Sequence, residues 1–156
     1  MKINIVFFLS ILIPMVLITG IIIKNNLPLT DAPGFKKRII NYFTTNVAET
    51  SFNSCYPELI TRKYFFSANE LQKMVEEAVN NLHWIVQERD ENRYTLYALA
   101  ITTLWKFKDN FVIRLQPVEN GEIAVYIRSS SRLGRADFGT NTRHIMDFYR
   151  QLESLM

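Results

Sequence analysis

The chain has 156 residues, of which 48% are apolar and 21% charged, a length for one ordinary domain with short additions and a balance that excludes global disorder. The formal net charge of +3 is uneven: residues 1–40 hold Lys2, Lys24, Lys36, Lys37 and Arg38 against Asp31, while the remainder has 13 basic and 14 acidic residues. An acid-balanced domain argues against nucleic-acid binding, and the single cysteine, Cys55, excludes an intrachain disulfide, a CxxC redox pair and a multi-cysteine zinc site.

The first element is the run INIVFFLSILIPMVLITGIII between Lys2 and Lys24, 21 residues without a charge. At about 1.5 Å per residue it spans roughly 30 Å as a helix, the thickness of a hydrocarbon core. Pro14 is tolerated there because Ser10 or a neighbouring carbonyl can reorganise around the lost hydrogen bond. A cleaved secretory signal has a shorter apolar run and small residues at the cut; no A-x-A pattern follows here. Residues 1–24 are therefore expected to be an uncleaved single-pass anchor, and the chain a membrane protein. The basic residues after the run favour a cytoplasmic domain by the positive-inside rule. The two-residue amino tail favours export, so the side of the membrane stays open.

Residues 25–46 are expected to be a tether. Pro28, Pro33 and Gly34 interrupt regular structure, and the basic FKKRI run suits either a solvated spacer or contact with anionic headgroups. Beyond it lies the domain, residues 47–156. Ser67-Ala-Asn-Glu70 has the form of a capping box, with Phe66 and Leu71 at the positions of a hydrophobic staple. Leu71, Met74, Val75, Ala78, Val79 and Leu82 then recur at helical spacing.

Four strands are predicted next: Trp84–Glu88, Arg93–Phe107, then runs that alternate about Phe111, Ile113 and Leu115 and about Ile123, Val125 and Ile127. The connections RDEN, KDN and VENGE are short, with Asn120-Gly121 a hairpin signal. Ile145, Phe148, Tyr149, Leu152 and Leu155 mark a final amphipathic helix, with Thr140 or Asn141 expected at its N-cap. The predicted fold is α+β: an antiparallel four-stranded meander with two amphipathic helices packed on it, preceded by one N-terminal transmembrane helix. Cys55 is expected to be a small buried or half-buried residue.

The stretch RSSSRLGRADFGTN, Arg128 to Asn141, joins the last strand to the last helix. Its structural reading is a corner in which Asp137 pairs with Arg132, glycines take positive φ, Asn141 caps the helix and Arg135 faces solvent. Its functional reading is an anion site, because helix N-termini offer free N–H groups and arginine forks grip phosphate or carboxylate. The residues for such a site are Arg128, Ser129, Ser131, Arg132, Arg135, Asp137, Asn141 and Arg143. Hydrolysis by a serine of this loop, with Asp137 and His144, is the alternative, but no G-x-S-x-G elbow is present. His83 and His144 lack carboxylates at ligand spacing, so no metal site and no cofactor are expected.

The segments VAETS, LWKFKDNFVIRL and RSSSRLGRADFGTNTRHI together resemble the domain of unknown function 1499 family. The family's closing pattern, Arg-Ser-x-Ser-Arg-x-Gly-x-x-Asp-x-Gly-x-Asn followed by an early helix arginine, falls on Arg128, Ser129, Ser131, Arg132, Gly134, Asp137, Gly139, Asn141 and Arg143. The resemblance covers roughly residues 47–153. It departs at Asn110, where a second aspartate is usual, which puts a metal site on that pair in doubt. It implies a bacterial or plastid protein, often membrane-associated, with no agreed activity; for this chain that points to a bacterial inner membrane. The expected function is a non-enzymatic, membrane-anchored module binding an anionic or lipid ligand, an envelope component or a protein partner at the bilayer.

Overall fold

The computed structural model describes residues 5–102 and 106–156. Helix α1, Ile5–Lys24, carries Pro14 inside it. Its window Phe7–Lys24 has a mean hydropathy of 2.4 and no buried side chain, so it is long and apolar enough to cross a membrane, a property that a signal sequence shares.

The segment expected as an irregular tether contains a ten-residue helix, α2, Phe35–Thr44. The residue that docks it is an arginine. Arg38 is fully buried and forms a bidentate pair with Glu58 at 2.6 and 3.0 Å. It also donates to the carbonyls of Asp31 and Ala32 and to the Tyr42 hydroxyl. All five guanidinium donors are thus occupied.

The sheet has six antiparallel strands, not four. Strands β3 (Ile85–Asp90), β4 (Thr95–Ile101), β5 (Lys108–Pro117) and β6 (Ile123–Ser130) form the expected meander. Two three-residue strands, β1 (Val47–Glu49) and β2 (Arg62–Tyr64), add to the free edge of β6 at Arg128–Ser130 and Ile123–Val125. Strands this short show no alternation, so only their hydrogen bonds reveal them. The predicted strand Arg93–Phe107 is β4 alone as far as Ile101; its portion Thr103–Trp105 lies outside the described residues. Between β5 and β6 the chain reverses through Glu119–Gly121, closed by the Val118 N–H to Glu122 O bond at 2.9 Å. Asn120 and Gly121 are both at positive φ (64° and 76°), a region that asparagine and glycine enter most readily.

One face of the sheet carries the core. The register sets Ala98 opposite Phe111, Leu96 opposite Ile113 and Ile113 opposite Ile127, and all five side chains are buried. Helices α3 (Ala68–Asn81) and α4 (Thr140–Glu153) cover that face. The former contributes Leu71, Val75 and Val79, the latter Ile145, Phe148 and Leu152, into one cluster. The capping box on α3 is present: Glu70 N–H donates to Ser67 Oγ at 3.3 Å, and Ser67 N–H to Glu70 Oε2 at 3.0 Å. Cys55 is exposed, not buried, because it sits in the loop ahead of a 3₁₀ turn whose one buried residue is Leu59.

Candidate ligand-binding cleft

The Arg128–Asn141 stretch is a corner stitched to the junction of α2 and β1. Ser131 N–H donates to Asn46 O (2.9 Å), Asp137 N–H to Thr45 O (3.1 Å) and Phe138 N–H to Tyr42 O (3.1 Å). At its centre lies the fully buried Asn141. Its Oδ1 accepts from the Ser129 hydroxyl at 2.6 Å, and its Nδ2 donates to Asn46 O and Ser131 Oγ, both at 2.9 Å.

Asp137 has no arginine partner. Its carboxylate accepts from Gly139 N–H (2.9 Å) and Asn141 N–H (3.0 Å), so it satisfies the free amides at the start of α4. The expected Arg132–Asp137 pair is absent because those amides lie only two and four residues away. Arg132 is exposed. The N-cap is Gly139, at φ 81°, with Thr140 and Asn141 already helical. No side chain fits there: a β-carbon on Gly139 would overlap Leu27 Cδ1. Leu27, Tyr42 and Gly139 thereby join the chain just beyond α1 to the corner.

Beside this corner lies a cleft of about 880 Å³, within the range usual for small-ligand sites. Ile21, Lys24 and Asn25, at the carboxyl end of α1, form one wall. Asn25 is fixed there, since its amide donates to Phe138 O (3.3 Å) and its carbonyl accepts from Arg143 Nη1 (3.1 Å). Apolar lining comes from Trp84, Ile101, Phe107 and Leu133, of which Phe107 and Leu133 are strongly exposed at the rim. Lys24, Lys106, Lys108 and Arg132 line it as well, and among the described residues none of the four is paired with a carboxylate.

Two carboxylates and an imidazole sit deeper. Burial pushes the Asp109 carboxyl up from its ordinary pKa, against the hydrogen bonds from the Ser131 hydroxyl and the Arg132 backbone N–H, with Asp137 nearby raising it further. Burial likewise raises Asp137. His144 is pushed down to about 4, first by burial and then by the Arg143 charge. Its Nδ1 is 3.8 Å from Asp109 Oδ2, beyond hydrogen-bond length, and has no partner. Trp84 covers the ring edge-on at 5.4 Å.

Of the eight candidate residues, Ser131, Arg132, Asp137 and Arg143 line this cleft. Ser129 and Asn141 are sealed beneath the corner. Arg128 is directed to Ser130 and Glu49 on the sheet edge, and Arg135 is exposed outside the cleft. Lys24, Trp84 and Asp109 had no place in the sequence-derived site; only the apolar-then-basic end of the first helix offered a signal for Lys24. Among the described residues, no group of three or more His, Cys, Asp or Glu side chains is placed to hold a metal ion.

Fold and site together describe a two-layer α+β domain whose cleft takes one wall from the end of a membrane-length helix. Residues 37–152 match the family described as Protein of unknown function (DUF1499), and the chain belongs to that family. No curated protein matches it.

Proposed function

We propose that the cleft holds an anionic amphiphile, a lipid drawn from the bilayer in which α1 remains as an uncleaved anchor, and that the domain is a binding module. One observation carries this reading. Four unpaired cations and an apolar lining share a cavity whose wall is the end of the apolar helix. A headgroup would meet the cations while its chains continue along Ile21, Phe107 and Leu133. Cations near an anionic membrane surface each add about 1 kcal/mol of attraction.

Native mass spectrometry of the full chain released from nanodiscs tests this. Wild type should carry anionic lipid in preference to zwitterionic lipid, and Lys24→Glu with Arg132→Glu should lose it by about thirtyfold or more, as the loss of two cations worth roughly 1 kcal/mol each implies. Lys63→Glu, at a lysine paired with Glu122 outside the cleft, should retain it. Equal retention in all three chains would refute the reading.

Hydrolysis in the same cleft has one observation behind it, the proximity of Ser131, Asp109 and His144. A serine nucleophile requires a base positioned to take its proton. Here the Ser131 hydroxyl is directed at Asp109, and His144 Nδ1 is closed to solvent. Ester hydrolysis lost in Ser131→Ala would restore this second reading.

A further inference from the structure

Helix α2 has two faces, and only one is buried in the domain. Arg38 and Tyr42 bury the inner face against Glu58 and Gly139. Lys36, Ile40 and Phe43 recur at i, i+4 and i+7 on the outer face, with Lys37 beside them and Phe35 at the amino end. Phe35, Ile40 and Phe43 are 58%, 51% and 43% exposed. Such large apolar side chains set among lysines, with no acidic residue on the helix, form the pattern of a helix lying in a membrane interface.

The position of this face names its occupant. Phe43 packs edge-on against Phe138 at 5.2 Å, and Phe138 O is held by Asn25, the residue after the last of α1. Leu27, two residues after Asn25, packs against Gly139 beside Tyr42 of the inner face. The outer face of α2 is therefore held one side chain from the point where the apolar helix emerges. The five donors spent by Arg38 keep the helix from turning that face elsewhere.

We infer that Ile40 and Phe43, with Phe35, rest in the headgroup region of the bilayer that α1 enters, and that Lys36 and Lys37 bind its anionic lipids. The inference rests on α1 staying in the membrane, and owes nothing to the ligand of the cleft. The contact gives the domain a fixed tilt on the bilayer, in place of free rotation on a tether.

Lipid-mediated quenching in the full chain tests it. Cys55→Ser removes the exposed native thiol, and a fluorophore is placed at Ile40→Cys or, as the control, at exposed Gln116→Cys. Position 116 lies eight residues beyond Lys108 along β5, about 26 Å by strand rise. In nanodiscs holding one copy each, with phosphatidylglycerol and headgroup-spin-labelled lipid, the probe at 40 should be quenched at least about threefold more than that at 116. Lys36→Glu with Lys37→Glu should bring the signal at 40 down towards the control; an unchanged signal would overturn the assignment to anionic lipid. Equal quenching at both sites overturns the proposal. So does a probe at 40 that is shielded from water yet unquenched, the signature of a protein or second copy on that face. Intact mass read on the same discs separates failure of the anchor, since loss of α1 would shorten the chain near residue 25.

Discussion

Removing Arg38 should release α2 from the domain. Its guanidinium is fully buried, and its partner Glu58 is 8% exposed. Arg38→Met strands a desolvated carboxylate, two carbonyls and the Tyr42 hydroxyl, and breaking one side of a buried pair costs about 3–5 kcal/mol. Glu58→Leu leaves the cation without its acid and should cost about the same. For a domain of this size 1 kcal/mol shifts Tm by roughly 3–5 °C, so each variant should melt about 10–20 °C below wild type in detergent. The double variant removes both charges, and replacing a buried ion pair with apolar groups of similar volume is often neutral or stabilising. It should recover the part of the loss owed to the uncompensated charge, with a coupling above about 2 kcal/mol, while the Asp31 and Ala32 carbonyls and the Tyr42 hydroxyl stay without their donor. Hydrogen exchange over Phe35–Thr44 should accelerate in both single variants ahead of global unfolding. Losses under about 1 kcal/mol that simply add would place this pair with exposed salt bridges, and the account of how α2 is held would fail.

Asp137→Ala should destabilise the domain by about 1–3 kcal/mol, since two buried helix amides lose their acceptor, while Arg132→Ala should melt like wild type; equal losses would mean that the two are partners after all. Gly139→Ala, strained at its φ of 81° and overlapping Leu27, should cost about 1–3 kcal/mol and loosen Asn25 and Leu27 in hydrogen exchange. Ser67→Ala should cost about 1 kcal/mol through the lost cap, read as a fall of a few degrees in Tm. His144 is held near pKa 4 in the fold against about 6.5 unfolded. Its contribution is present above pH 6.5 and lost as pH falls through 4, amounting to about 3 kcal/mol; Asp109 and Asp137, raised by burial, slope the other way. His144→Phe should therefore gain on wild type between pH 7 and pH 4 in chemical denaturation, and parallel pH profiles would contradict the assigned burial.

The elements that could be read in the sequence were those with a period. Ser67 and Glu70 stand at capping distance, and the alternation of Phe111, Ile113 and Leu115 survives unchanged into β5 because one face meets the core. Helix α2 escaped because its docking residue is Arg38: a charge normally marks a solvated face, and only its distant partner Glu58 reverses that. Strands β1 and β2 escaped because three residues carry too few repeats. The corner was recognisable in its glycines, Asp137 and Asn141, but the assignment of Arg132 to Asp137 followed charge alone. A carboxylate two residues from a helix start meets backbone amides first. The cleft was not legible because Lys24, Trp84, Asp109 and Arg143 come from four separate stretches of the chain, brought together by the sheet register and by the docking of Asn25.

That docking has a consequence for how the chain is made. Asn25 bonds Phe138 and Thr140 and receives Arg143, partners 113 to 118 residues further along. At about 5–20 residues per second of synthesis, these partners follow Asn25 off the ribosome by roughly 5–25 s. Through that interval the end of α1 has nothing to hold, while the strands of the sheet and α3 are already made. Leu27, Tyr42 and Phe43 meanwhile wait for Gly139 and Phe138 to cover them. The wall of the cleft made by Ile21, Lys24 and Asn25 therefore closes last, once α4 arrives.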